Sequence, residues 1–428
     1  MFFVFLLVAS VVLRLFLAGR QLRHLWLHRA VVPARFASSV TLPQHQKAVD
    51  YATAKIRFGL YALSLEVLWF VVLTWGGGLN WGWAQADHLI VTHSVSPLAA
   101  AVTLLVTIAL LSALIDLPLT IWHQFVLEER FGFNRSTWRI FLIDQCKGLI
   151  LGGLIGVPLI LGILWLMGHR QGLGTGWWVL LWALYALVSI GLAWVFPVWI
   201  APIFNRFSPL PSGSLKSRLE ALLERCQFAA QGLFVMDGSR RSSHGNAFFA
   251  GMGATRRIVL FDTLVETLSE EELEAVLAHE IGHYRCGHVP TRIFFGLAMA
   301  FGVMAVFGGW MDHPQILAAL GISLDTLGAT TVLRDAVSMY LFSLIVPFAL
   351  LPLGPVASFL SRRHEYEADA FAAREADGAA LIGALVSLHR DNAAPLTTDA
   401  WFSAFYDSHP PAPLRIEALE RSLGHTSG

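Results

Sequence analysis

Residues 269–290 read SEEELEAVLAHEIGHYRCGHVP and predict one helix with a buried face. Ser269 is followed three residues later by Glu272, and this capping box marks the start of a helix. Gly287 and Pro290 are expected to end it. Apolar residues recur between these limits at helical spacing, at Leu273, Val276, Leu277 and Ile281.

The same helix carries the motif His279-Glu280-x-x-His283. Histidines four residues apart lie on one side of a helix, one turn above the other. Two neutral imidazoles placed in this way can bind one divalent metal ion, and Glu280 lies where it can reach a water on that metal. The alternative is a surface helix with two ordinary histidines, because a short motif also occurs by chance. The helical context favours the metal site.

Composition indicates a membrane protein with a soluble portion. Of the 428 residues, 14% are charged and 55% are hydrophobic, and the mean hydropathy is +0.59. Ordinary globular proteins have about 25% charged residues. The net charge is zero at pH 7, so charge gives no reason to expect nucleic acid as a partner. Cys146, Cys226 and Cys286 are odd in number and far apart, which predicts no disulfide framework.

Seven stretches are long and apolar enough to cross a bilayer. The first, 1–18, resembles a cleaved signal peptide in its apolarity, but it lacks a basic start and Arg14 interrupts it, so we expect a retained membrane helix. The other stretches are 58–75, 96–121, 148–168, 177–202, 292–310 and 336–360. Glu66 and Asp116 lie within spans, where they are expected to face a bundle interior or a watery cavity, or else to be hydrated at the span ends.

Basic residues alternate between successive loops. The loops after spans one, three and five contain Lys and Arg, and Arg362 and Arg363 follow span seven. The loops after spans two and six contain neither residue type, and the loop after span four has only Arg170. The positive-inside rule therefore predicts an outside N-terminus and an inside C-terminus. The helix with the metal motif would then lie on the cytoplasmic side.

Four regions follow from these spans. Residues 1–203 are expected to hold spans one to five, and 292–360 spans six and seven. The cytoplasmic portion 204–291 should contain a linker at 209–214, an amphipathic helix at 215–226 and a small antiparallel sheet formed by 233–236, 247–250 and 258–261. The last region, 361–428, is predicted to be cytoplasmic and helical as far as Pro410.

A catalytic zinc site needs a third protein ligand and an open position. The nearest candidates in sequence are Cys286 and His288. A thiolate at Cys286 would suit a closed structural site better, and we expect this cysteine to pack between helices instead.

A better candidate lies beyond the seventh span, where residues 361–371 read SRRHEYEADAF. Glu365 and Asp369 are four residues apart on a predicted helix and face the same way. Glu365 can supply the metal bond, while Asp369 can accept the distal N–H of a ligating imidazole. The alternatives are an acidic helix face in solvent or metal ligation by His364 or Glu367, which spacing alone leaves open.

Together these motifs resemble the type I CAAX prenyl endopeptidases, which are integral-membrane zinc metalloproteases of the gluzincin type. Further stretches match in the same order, namely 128–134 (EERFGFN), 201–205 (APIFN), 243–247 (SHGNA), 257–262 (RIVLFD) and 408–410 (SHP). The resemblance covers nearly the whole chain. It implies an all-α multi-pass membrane protein whose seven transmembrane helices enclose a water-filled chamber, with a small α+β zincin-like metalloprotease portion.

The resemblance also implies the roles of individual residues. One Zn²⁺ per chain would be bound by His279, His283 and Glu365, with Glu280 as general base and Asp369 supporting an imidazole. A peptide substrate would add as a further strand along Asn246, Ala247 and Phe248. His409 and Arg415 would stabilise the oxyanion.

We therefore expect a membrane-embedded zinc metalloendopeptidase that cleaves prenylated or other membrane-associated peptides near their C-terminus, with the peptide and the lipid bilayer as its partners. A quality-control zinc protease of the heat-shock type is one alternative, although about four spans are typical of it. A non-catalytic zinc-binding transporter or scaffold is another, which an open three-ligand site beside Glu280 disfavours. The C-terminal residues GHTSG are not a lysine-rich retrieval signal, so the host membrane can be the endoplasmic reticulum or a bacterial plasma membrane.

Overall fold

Long helices form most of the protein, and the computed structural model describes residues 1–250, 256–323 and 331–424. The helices of the first half are α1 (Phe2–His28), α2 (Leu42–Leu73), α3 (Gly78–His93), α4 (Pro97–Trp122), α5 (Trp138–Gly168), α6 (Arg170–Leu173), α7 (Trp177–Val195) and α8 (Ala201–Phe204). Those of the second half are α9 (Ser214–Arg225), α10 (Asp262–Thr267), α11 (Glu270–Arg285), α12 (His288–Met311), α13 (Gln315–Ala319), α14 (Thr331–Leu350), α15 (Gly354–Glu375), α16 (Gly378–Asp391), α17 (Ala400–Tyr406) and α18 (Ala412–Ser422).

The seven predicted spans are confirmed in number, because seven helical stretches of the described chain are long and apolar enough to cross a membrane. They are Phe2–His28, Leu42–Leu73, Pro97–Glu128, Trp138–Gly168, Trp177–Phe204, His288–Met311 and Thr331–Glu375. Several helices extend beyond the apolar run. The second span starts at Leu42 rather than at residue 58, because Thr41 and Gln44 form a capping box there.

The seventh span, predicted to end at residue 360, continues as a helical column to Glu375. Only the 3₁₀ turn Leu351–Leu353 separates α14 from α15. Pro355 falls in the first turn of α15, where a missing N–H costs no helical hydrogen bond. The membrane helix therefore carries Glu365 rigidly at its end.

One face of the first helix packs against the other helices, and the helix contacts the C-terminal region. Leu17 and Leu25 are fully buried. Arg20 binds both carboxylate oxygens of Asp399 at 3.0 and 2.8 Å, and Asp399 in turn caps the N-terminus of α17. The beginning and the end of the chain are thus tied together.

Glu66 and Asp116 both line a cavity of about 360 Å³ between the membrane helices. Arg14, on α1, lines it as well and lies 3.2 Å from Glu66. Both residues are exposed and line this cavity, so of the placements considered for them the structure favours a watery cavity. A cavity that admits water accounts for charged groups at this depth.

The sheet has four strands: β1 (Phe207–Pro209), β2 (Leu233–Met236), β3 (Ala247–Ala250) and β4 (Arg257–Phe261). Their order is β1-β2-β4-β3, and β2 pairs with β4 in parallel. The prediction of a wholly antiparallel sheet is therefore wrong. The chain reverses twice between β2 and β4, and β4 then inserts between β2 and β3. The strand β1 lies partly in the predicted linker, and β3 is an edge strand.

A helical layer packs on one face of this sheet around α11. The buried apolar side chains of this core come from β2, β4, α9, α11, α16 and α18, among them Leu219, Leu233, Ile258, Leu260, Leu273, Ile281, Leu381 and Ile416. The apolar face of α11 predicted from its periodicity is thus buried between the sheet and the C-terminal helices. Its other side, which carries His279 and Gly282, packs against α15.

The sequence predicted that helical structure ends at the prolines near residue 410, and this prediction is wrong. A further helix, α18, starts at Ala412, and Pro413 occupies its first turn. Proline is compatible with that position because its N–H would be unbonded there in any case. The helix carries Arg415 back into the core, where the residue is 6% exposed.

Candidate metal centre

The capping box of α11 forms as predicted. Glu272 accepts a hydrogen bond from the backbone N–H of Ser269 at 2.9 Å, and Ser269 Oγ accepts one from the N–H of Glu272 at 3.2 Å. The helix ends before Gly287, which adopts φ +72°. Pro290 does not end α11, since it lies in the first turn of α12.

A close helix contact brings the third ligand to the motif. A Cβ atom on Gly282 would lie 3.0 Å from the Cα of Ala368, so only glycine allows α11 and α15 to approach this closely. Ala368 lies between Glu365 and Asp369 on α15. The contact therefore delivers both carboxylates to the side of α11 that carries His279 and His283.

Three ligand atoms converge at this contact. Nε2 of His279 and Nε2 of His283 are 3.2 Å apart. Glu365 places Oε2 3.4 Å from the first nitrogen and Oε1 3.2 Å from the second. In the described part of the chain, this is the one group of three or more potential ligands that meets within 4.8 Å.

These distances fit a zinc ion. Ligands bound about 2.0–2.1 Å from a tetrahedral Zn²⁺ are roughly 3.3 Å apart, which matches the spacings at this group. Glu365 is 1% exposed, and its Oε2 has no hydrogen-bond partner. A buried carboxylate oxygen without a donor is costly unless something cationic satisfies it. His279, His283 and Glu365 therefore fit the zinc ion that the motif implies.

Asp369 lies where it was predicted, behind the first ligand. Its Oδ1 is 2.8 Å from Nδ1 of His279. Arg415 donates to both oxygens of Asp369, at 2.8 and 2.6 Å. Burial disfavours a charged imidazole, yet the neighbouring carboxylates of Asp369 and Glu365 outweigh it and raise the pKa of His279 to about 9. Nδ1 is thereby held toward Asp369, which leaves Nε2 directed at the other two ligands.

Glu280 lines a cavity of about 860 Å³ beside His279. Burial in the cavity wall raises the pKa of the Glu280 carboxyl above its usual value. A carboxyl group with a raised pKa is suited to accept a proton and return it. The geometry thus allows the role expected of Glu280.

His409 and Arg415 also border the metal centre. His409 Nε2 is 3.6 Å and Arg415 Nη1 is 3.7 Å from Oε2 of Glu365. The His409 ring is open to the cavity yet enclosed by its walls, and this burial lowers the pKa of the imidazole. Arg415 is buried and engaged with Asp369, whereas His409 is free to meet a ligand in the cavity.

The cavity also reaches the edge strand. Asn246 and Ala247 line it, together with residues of α1 and α2 from the membrane bundle. The side chain of Phe248 points to the opposite face of the sheet, where it packs with Val259 and Phe261. Any contact of Phe248 with a peptide in the cavity would therefore be through its backbone.

The other ligand candidates lie outside the group of three. Cys286 is exposed, with a free thiol like the other two cysteines. The ring of His364 stacks on that of His288 at a centroid distance of 4.1 Å. Glu367 Oε2 is 2.9 Å from Nε2 of His288.

Sequence reasoning gave no role to a polar network behind the edge strand. Tyr51 donates to Glu128 at 2.6 Å, and Glu128 lies 3.4 Å from His244. Asn392 accepts a hydrogen bond from the N–H of Gly245 at 3.2 Å, next to the start of β3. A signal was present, because Glu128 and His244 fall in the stretches 128–134 and 243–247 that carry the family resemblance.

The comparisons with known proteins agree with this geometry. Residues 21–206 match the model of the CAAX prenyl protease N-terminal part with five membrane helices, and residues 209–423 match that of peptidase family M48. CAAX prenyl protease 1 of Saccharomyces cerevisiae is 36% identical over 338 residues, which cover 77% of this chain and 74% of the relative. The CAAX prenyl protease 1 homolog of Arabidopsis thaliana is 30% identical over 97% of this chain and 96% of its own length.

The fold is shared as well. The crystal structure of S. mikatae Ste24p matches with a TM-score of 0.87 at 30% sequence identity, and the match covers 97% of each chain. The range that matches peptidase family M48 includes the three residues whose ligand atoms converge. The chain therefore belongs to peptidase family M48, and it is a multi-pass membrane metallopeptidase.

Proposed function

We propose that this protein is a zinc endopeptidase that cleaves prenylated CAAX-type or other membrane-associated peptides near their C-terminus. The observation that carries the proposal is the convergence of His279, His283 and Glu365 beside Glu280, in the wall of a cavity bounded by membrane helices. The relatives named CAAX prenyl proteases support the substrate class.

Two imidazole nitrogens and one carboxylate oxygen form a donor set that is typical of catalytic zinc. When bound, the ion lowers the pKa of a water molecule and polarises the peptide carbonyl. Asp369 orients His279 for this task, and Arg415 keeps Asp369 ionised and in place.

The proton transfers belong to Glu280. It accepts a proton from the attacking water and passes it to the amine that leaves. His409 projects into the cavity next to Glu365, where it can donate to the carbonyl oxygen as negative charge develops. Arg415 acts on the same oxygen mainly through its positive charge, because its hydrogen bonds go to Asp369.

The substrate peptide is proposed to lie along the free edge of β3. An extended chain can add to an edge strand through backbone hydrogen bonds, and Asn246 and Ala247 present that edge to the cavity. Apolar residues of α1 and α2, including Ala18, Ile56, Leu60 and Leu63, form the facing wall. Such a wall suits a peptide that carries a lipid group.

The alternating basic loops support an orientation with the metal centre on the cytoplasmic side. The host membrane is an endoplasmic reticulum or a bacterial plasma membrane. In either membrane, a lipid-anchored peptide would enter the cavity from the cytoplasmic leaflet.

The test is cleavage of matched farnesylated and unmodified CAAX peptides by the purified protein. We expect zinc-dependent cleavage that Glu280→Gln abolishes while bound zinc stays near one ion per chain. Glu271→Gln is the matched control, since Glu271 is an exposed carboxylate on the same helix. Undiminished cleavage by Glu280→Gln would contradict the mechanism, and zinc binding without any cleavage would favour a non-catalytic zinc protein.

A further inference from the structure

The second ligand, His283, has its own hydrogen-bonded support. Its Nδ1, on the side of the ring away from the converging ligand atoms, lies 3.0 Å from Nδ1 of His288. Nε2 of His288 is in turn 2.9 Å from Oε2 of Glu367. A continuous chain of three side chains therefore extends from the ligand to a carboxylate.

The protons of this chain can be placed from chemistry alone. A metal bond at Nε2 of His283 leaves the proton of the neutral ring on Nδ1. That N–H can donate only to an unprotonated Nδ1 of His288, so the proton of His288 lies on Nε2 and points at Glu367. Every donor then meets an acceptor, and both imidazoles are held in one tautomer.

The ring of His288, the middle member of this chain, is held in place by its surroundings. His288 is 2% exposed, and the His364 ring covers its face at an interplanar angle of 13°. Arg363 donates to the other oxygen of Glu367 at 2.9 Å. The turn at Gly287, with φ +72°, reverses the chain between α11 and α12 and allows His288 to lie against His283.

We propose that His288 and Glu367 are positioning residues for the metal ligand His283, as Asp369 is for His279. Partners that accept the distal N–H of a ligating histidine fix its orientation and raise its basicity. The proposal rests on the metal site of the proposed function. It assigns a role to two residues that spacing alone leaves as competing ligands.

The two supports differ in their exposure. Asp369 and its partner Arg415 are buried, whereas the side chain of Glu367 is 39% exposed and that of its partner Arg363 is 69% exposed. Solvent screens a charge at Glu367 more than one at Asp369. We therefore expect the ring of His288 to contribute more to zinc affinity than the carboxylate of Glu367.

The test measures zinc affinity by chelator competition in detergent-purified full-length protein, without substrate. His288→Phe keeps a flat ring against His364 but removes the acceptor for His283. We expect zinc affinity to fall about 10–100-fold, the usual cost of losing such a partner. His288→Gln retains an amide acceptor and should recover part of the loss, and Glu367→Ala should lower affinity by less than His288→Phe.

His364→Phe is the matched control, because it makes the same substitution in the stacked ring without touching the hydrogen-bonded chain. It should keep zinc affinity within about twofold of wild type. Visible spectra of the cobalt-substituted protein should change for His288→Phe and not for this control, since they report the ligand geometry.

Equal zinc affinities of wild type and His288→Phe would overturn the inference. Equal losses in His288→Phe and His364→Phe would overturn it too, because they would indicate general packing. Peptide cleavage is measured separately. A wild-type protein that binds zinc but cleaves no peptide would contradict the proposed function and leave the affinity comparison valid.

Discussion

Arg415 connects two carboxylates of the metal centre at the level of single residues. It donates two hydrogen bonds to Asp369 and places Nη1 3.7 Å from Glu365, while it is itself buried. A buried cation with this many acidic neighbours stabilises their charged forms. Its position supports a structural task in addition to the oxyanion role implied by the family resemblance.

We expect Arg415→Met to lower zinc affinity as well as turnover. Without the guanidinium, the buried Asp369 would keep its contact with Nδ1 of His279 but lose its cationic partner. Loss of one partner of a buried pair typically costs about 3–5 kcal/mol of stability. Zinc affinity and thermal unfolding measured together on the purified variant would show both effects. Unchanged affinity with reduced turnover would indicate that Arg415 acts on the oxyanion alone.

His409→Ala, which removes the ring and its N–H donor, is predicted to lower turnover without lowering zinc affinity. The side chain of His409 is 64% exposed and faces the cavity. Its Nε2 lies 3.6 Å from Oε2 of Glu365, which is too far for a hydrogen bond that would support this ligand. We expect turnover to fall about 100-fold, as for the loss of an oxyanion donor, while zinc affinity stays within about twofold. Steady-state cleavage and chelator competition provide the two values. A large loss of zinc would argue against the catalytic role.

Two elements, α11 and α15, bring the ligands together because their backbones touch at Gly282 and Ala368. Any side chain at position 282 must push against the backbone of α15. Hydrogen bonds among Glu128, His244 and Asn392, and from Gly245 to Asn392, hold the chain next to the start of the edge strand β3. Each contact can be tested at the level of the element that it holds.

Gly282→Ala should weaken zinc binding without removing any ligand. The added methyl group would lie 3.0–3.2 Å from backbone and side-chain atoms of α15, so the helix that carries Glu365 must move by a few tenths of an ångström. We expect zinc affinity to fall at least tenfold. Gly296→Ala on α12 is the control, because a Cβ there meets nothing within 4 Å. Wild-type affinity in Gly282→Ala would show that the contact is not needed.

Asn392→Ala should raise KM more than it lowers kcat. The change removes the hydrogen bond that holds the N–H of Gly245 and so loosens the strand on which the peptide is proposed to lie. We expect KM for a CAAX peptide to rise severalfold at unchanged zinc content. Asp391→Asn is the neighbouring control, since Asp391 pairs only with the half-buried Arg390 among the contacts described. A purely kcat effect would argue against the strand.

The whole molecule combines a membrane bundle with a soluble core, and buried ion pairs help to join its parts. Arg170, in the α6 turn, contacts Asp335 at the start of α14, where Asp335 is 1% exposed. These residues are distant in sequence, and their contact links the fourth loop to the seventh span. Such a pair contributes little net stability, but removal of one partner is costly.

We expect Arg170→Met to destabilise the protein by about 3–5 kcal/mol, because Asp335 would remain buried without its cation. The double variant Arg170→Met with Asp335→Leu should regain most of this loss. Thermal unfolding in one detergent, at fixed protein concentration, compares the wild type, Arg170→Met, Asp335→Leu and the double variant. A double variant no more stable than Arg170→Met would show that the two charges are not coupled.

Local sequence patterns were sufficient to predict the number of membrane spans and the helix that carries the metal motif. Hydrophobic run length indicated seven spans, and the capping box at Ser269 marked the start of the metal-binding helix. The i, i+4 spacing of Glu365 and Asp369 indicated that the two carboxylates share one face of a helix. These features depend on residues close together in the chain, so the physics of a single helix or span determines them.

Other features were decided only by tertiary structure. The parallel pairing of β2 with β4 depends on the two changes of chain direction between them, which place β4 beside β2. The chain from His283 through His288 to Glu367 joins residues from α11, α12 and α15, and the return of α18 brings Arg415 to Asp369. Spacing could not choose among His288, His364, Glu365 and Glu367, because contacts between distant helices set which side chain faces the metal and which one supports a ligand.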